Sequence, residues 1–97
     1  MNYPLDVEVC VKAFMESEGY KDTSVRFLRA YVAILNDNYK DGLNNGYPGA
    51  PVEPAMLRIY EKDFKEVFGE NYSAVVAQLK EAYTQGQAEN KKMLPIF

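Results

Sequence analysis

Residues 25–41 read VRFLRAYVAILNDNYKD, and this stretch decides the fold. Val25, Leu28, Val32, Leu35 and Tyr39 recur at helical spacing, and Phe27, Tyr31 and Ile34 form a second stripe beside them. More than half the circumference is apolar, which predicts a central helix packed on two sides. Its remaining face carries Arg26, Arg29, Ala33, Asn36 and Lys40. Asp22, Thr23 and Ser24 are capping residues before it, and Gly42 reads as its stop.

Working outward, residues 5–17 form a first helix with Val7, Val11, Phe14 and Met15 on one face. Pro4 suits its start and Gly19 its end. Residues 54–68 read as a third helix, with Leu57, Tyr60, Phe64 and Val67 in its stripe. Glu61–Lys65 and Lys62–Glu66 are oppositely charged pairs on its outer face. A fourth helix, capped by Asn71 or Ser73, runs to about Gln85, with Val75, Val76, Leu79 and Tyr83 buried and Gly86 after it. The expectation is an all-α, compact bundle of about four amphipathic helices, forming a single helical domain over residues 1–97. Residues 87–97 read as a C-terminal tail. No internal repeat or low-complexity tract is read.

The chain of 97 residues is 47% hydrophobic and 26% charged, with room for one core. It carries 11 Lys+Arg against 14 Asp+Glu, a net charge of −3 that supplies no drive toward nucleic acid or anionic lipid. No apolar run approaches the roughly 20 residues of a membrane span, and no basic leader opens the chain, so a cytoplasmic protein is expected.

There is no histidine and one cysteine, Cys10. A Ser-His-Asp triad, a Cys-His pair, an imidazole metal site and a zinc finger are therefore excluded within one chain. Glu16/Glu18 and Asp63/Glu66 are paired carboxylates on polar helix faces and read as surface charge. Asp37–Gly42 has the opening of a calcium loop but places Pro48 where a bidentate Glu is needed. No glycine-rich phosphate cradle occurs, and the sequon at Asn71 has no secretory leader to go with it. The chain reads as non-enzymatic, with no cofactor and no metal.

The irregular stretch from Leu43 to Glu53 contains the turn dipeptides Asn45-Gly46 and Pro48-Gly49 and is expected to cross the end of the bundle, pinned by Tyr47 and Val52. Eight tyrosines and no tryptophan mark the composition, and tyrosine favours interfaces. Residues 44–51, with Tyr47 at the apex, are the first contact surface expected. The partner-binding set is Tyr39, Asn45, Tyr47, Pro48 and Tyr60, joined by Leu94, Ile96 and Phe97 of the apolar C-terminus. The function expected is a protein–protein interaction module: a small inhibitor, adaptor or accessory factor of phage type that binds a larger protein or self-assembles into a homo-oligomer. The second reading is a helix–turn–helix DNA-binding regulator. Gly19, Val25 and Leu28 have its spacing, and Lys21, Thr23, Arg26 and Arg29 would contact DNA. A third is a bundle in which Arg26 or Arg29 meets a small anion.

Overall fold

A computed structural model of the chain describes residues 2–17 and 24–93, with side chains through Lys91. The described residues are all α: α1 (Val7–Met15), α2 (Val25–Asn44), α3 (Met56–Ile59), α4 (Glu61–Phe68) and α5 (Tyr72–Met93), with a 3-10 turn at Gly69–Asn71 before α5. The loop expected in the middle of the chain lies between α2 and α3.

The central role of α2 follows from its stripe. Leu28, Tyr31, Val32, Leu35 and Tyr39 are all buried, as are Val75, Leu79, Ala82 and Tyr83 of α5. Ser24 caps α2 by accepting from the Phe27 N–H at 3.1 Å, and Asp6 caps α1 by accepting from the Val9 N–H at 3.0 Å. Pro4 therefore lies ahead of α1 and not in its first turn. Gly19 lies outside the described residues.

On one side α2 receives α1. The Asn36 side chain clamps the Leu5 backbone, accepting its N–H at 2.7 Å and donating to its carbonyl at 3.0 Å. Val11 is buried, and Phe14 meets Tyr31 at 5.7 Å between ring centroids. On the other side α2 packs along α5, and the two helices run in the same direction. Near their N-terminal ends the Tyr31 hydroxyl bonds to Gln78, and near their C-terminal ends the Asn90 amide bonds to the Leu43 carbonyl.

Gly42 and Gly86 do not end their helices. Both lie inside and face the opposing backbone: a methyl at Gly42 would overlap the Tyr83 carbonyl oxygen, and one at Gly86 the Tyr39 carbonyl oxygen. The contact is reciprocal because Leu35-Tyr39-Gly42 and Leu79-Tyr83-Gly86 share one spacing. A short internal match thus exists where no repeat was expected. It also continues α5 through residues that were expected to be tail.

The third expected helix is two. Tyr60, at φ −109° and ψ 20°, is outside helical geometry and separates α3 from α4. Asn38 in α2, fully buried, donates to the Ile34 carbonyl at 2.8 Å and to Met56 Sδ at 3.1 Å, which sets α3 against the C-terminal half of α2. Phe68 packs on Phe27 and Tyr31, with centroids at 5.5 and 5.7 Å, so α4 returns toward the N-terminus of α2. This return is the crossover that lets α5 run parallel to α2.

An unpacked helical glycine gains about 1 kcal/mol on replacement by alanine. Gly42→Ala and Gly86→Ala are expected to do the reverse, each lowering stability by about 1–3 kcal/mol through backbone overlap. Urea unfolding checks the sign.

Candidate interaction site

The irregular segment 45–55 crosses the C-terminal end of the α2–α5 pair, and α5 holds it there. Tyr83 donates its hydroxyl to the Pro51 carbonyl at 2.7 Å. Gln87 donates its amide to the carbonyls of Asn45 and Pro51, both at 3.0 Å. Asn45 turns back on α2, donating to the Asp41 carbonyl at 2.7 Å and the Asp41 carboxylate at 2.9 Å. Gly46 lies against Asn90, where a side chain would collide. Gly49, at φ 84°, supplies the left-handed residue of the turn closed by the Ala50 N–H on the Tyr47 carbonyl at 3.1 Å.

A segment tied at both ends presents its apex in one shape. Tyr47 is 55% exposed and Val52 84% exposed. Pro48 and Gly49 are exposed between them. Together with Gln87 and Lys91 they line an open groove of about 350 Å³. The Tyr47 hydroxyl donates to Asn45 Oδ1 at 3.3 Å.

The expected contact residues separate here. Tyr47 and Pro48 lie together at the apex, and Asn45 is beneath them as a half-buried tie. Tyr60 is exposed, but at the α3–α4 junction. Tyr39 is not at the rim: it is buried, with its ring stacked on Tyr3 at 5.3 Å and 15°. Its helical spacing with Leu28, Val32 and Leu35 was the signal for this. Leu94, Ile96 and Phe97 lie outside the described residues. Tyr47 and Val52, expected to pin the loop, do not: both are exposed, and the loop is held through its backbone by Tyr83 and Gln87.

Of the DNA-contact set, Lys21 and Thr23 lie outside the described residues. Arg26 is exposed. Arg29 forms a two-pronged pair with Glu8, Nε to Oε1 at 2.9 Å and the second nitrogen to Oε2 at 3.2 Å. Among the described residues no three His, Cys, Asp or Glu side chains gather as metal ligands, and no helix is long and apolar enough to cross a membrane. Burial raises the Cys10 thiol pKa, with the Asp6 charge adding to it, which opposes thiolate chemistry.

Among the described residues two tyrosines are perturbed. Burial, then the charges of Glu81 and Cys10, push Tyr3 up to about 12. Its hydroxyl is buried and has no hydrogen-bond partner among the described residues. Burial, then Asp41 and Tyr47, also raise Tyr83, the residue that ties the loop. A raised folded-state pKa leaves stability intact below the ordinary tyrosine value and removes it as pH rises through the folded value. Stability is therefore expected to fall between about pH 10 and 12. Tyr3→Phe should flatten the upper part of that fall and cost little at pH 7, since it removes an unpartnered hydroxyl. Chemical denaturation across this pH range measures both effects. The chain matches no family model, no curated protein and no solved structure, so the functional reading rests on its own geometry.

Proposed function

We propose that the chain is a non-enzymatic protein–protein interaction module, a small inhibitor, adaptor or accessory factor whose contact edge is the loop carrying Tyr47, Pro48 and Val52. One observation carries the reading: these apolar residues are exposed although the backbone beneath them is fastened to α5 at Asn45 and Pro51. A loop that is already ordered loses little conformational entropy on binding, so more of the contact energy appears as affinity. An exposed tyrosine with a neighbouring aliphatic anchor is the composition of an interface centre. The groove beside it has an amide in Gln87 and a cation in Lys91, which suits a partner edge that combines backbone carbonyls or carboxylates with an apolar anchor.

The test is affinity capture from the protein's native cells, comparing the wild-type chain with a Tyr47→Ser/Val52→Ser double variant of unchanged melting temperature. The wild type is expected to retain a defined protein at stoichiometric levels, and the variant to lose it by about tenfold or more. Equal retention by both, or retention of nucleic acid that vanishes steeply with salt, would contradict the reading.

A further inference from the structure

Two open grooves meet at Val52, which lines both. In the first, walled by Tyr47, Pro48 and Gln87, Lys91 is the only charged residue among the described residues that line it. The second, of about 360 Å³, is lined by Pro51, Pro54 and Ala55 and by two charged residues, Glu53 and Arg58. Glu53 is already engaged, with its Oε1 2.8 Å from Lys80 Nζ on α5. Glu61, three residues beyond Arg58, is likewise held, by Lys65 at 3.0 Å.

Arg58 and Lys91 are exposed, and neither makes an ion pair among the described residues; the pairs present are Arg29–Glu8, Lys65–Glu61 and Lys80–Glu53. The chain as a whole is acidic, at −3, so this excess of positive charge is local. It borders the apolar residues of the loop edge. Arg58 offers a planar fork that matches a carboxylate, and Lys91 a point charge. An apolar centre with charge at its rim is the layout of a protein–protein contact. Two cations give little purchase on a phosphate backbone, whereas Val52, 84% exposed, gains from an apolar cover.

We infer that the partner of this edge is an acidic protein segment: an apolar anchor that covers Tyr47 and Val52, with Asp or Glu on both sides of it, one facing Lys91 and the other Arg58. The inference rests on the reading of the loop as the contact edge and adds the partner's chemistry. The apolar anchor supplies most of the affinity, and the two rim charges select the partner.

A displayed library of random peptides, panned on the full chain, tests it. The wild type is expected to enrich peptides in which an aromatic or aliphatic residue is flanked by Asp or Glu. Lys91→Glu and Arg58→Glu, at exposed positions and with melting temperature unchanged, should each bind those peptides about fivefold or more weakly. The double reversal should enrich Lys or Arg around the same anchor. An absence of enrichment, a selection without acidic bias, or acidic peptides indifferent to both reversals would each overturn the inference. Apolar peptides without acidic bias that are lost on Tyr47→Ser/Val52→Ser would overturn it and leave the contact edge standing. Acidic peptides that bind Tyr47→Ser/Val52→Ser as well as the wild type would contradict the edge itself. Tighter binding of oligothymidylate than of any peptide, steeply weakened by salt, would assign the edge to nucleic acid and overturn the inference as well.

Discussion

The close approach of α2 and α5 at Gly42 and Gly86 is the contact on which the other features depend. Each glycine faces a carbonyl oxygen of the opposite helix, so the two backbones meet without side chains between them. That approach brings the tyrosine pair of Leu-x-x-x-Tyr-x-x-Gly into the core on both helices: Tyr39 and Tyr83 are buried beside the glycines they precede. Two glycines inside helices cost about 1 kcal/mol each in propensity, and the packed interface offsets this. Helices that run parallel cannot be joined by a short turn, so α3 and α4 exist as the return path.

The same contact places the loop that follows α2. On either side of Gly86, α5 presents Tyr83, Gln87 and Asn90 toward the chain leaving α2. Their bonds go to backbone carbonyls, so they hold the loop's path and leave its side chains free. Exposure of Tyr47 and Val52 is therefore a consequence of how the backbone is held. At the opposite end, the return path leaves α4 leaning on α2 through Phe64 and Phe68, with one apolar flank uncovered. The loop edge and this flank are two outcomes of one packing choice.

Much of this was legible in the sequence, and the misses have a common origin. The stripe Leu28, Val32, Leu35 identified α2 and its core face, because helical periodicity is a local signal. Gly42 and Gly86 were read as stops for an equally local reason. A glycine that ends a helix and one that admits a neighbouring backbone look alike until the partner segment is known. The shared spacing of Leu35-Tyr39-Gly42 and Leu79-Tyr83-Gly86 was the available clue, and it also explains why Tyr39 is in the core and not at an interface. The break at Tyr60 had no local marker, since tyrosine neither stops nor caps a helix. Tyr47 and Pro48 stand at the exposed apex of the loop, where turn chemistry is explicit. Val52 was read as a pin of the loop because it is apolar; the ties of the Pro51 carbonyl to α5 do that work and leave Val52 exposed.

The parallel course of α2 and α5 is the central claim, and spin-label distances test it most directly. With Cys10→Ser as background and labelled chains diluted in unlabelled ones, two pairs are compared: Ala30→Cys with Ser73→Cys, and Ala30→Cys with Lys91→Cys. Parallel helices joined at Gly42 and Gly86 put residues 30 and 73 at the same level. At about 1.5 Å of rise per residue they leave Lys91 farther along the axis by about 25 Å. The account predicts a short 30–73 distance and a 30–91 distance longer by about 15–20 Å. Distances in the reverse order would mean antiparallel helices, and with them no reciprocal glycine contact and no return path through α3 and α4.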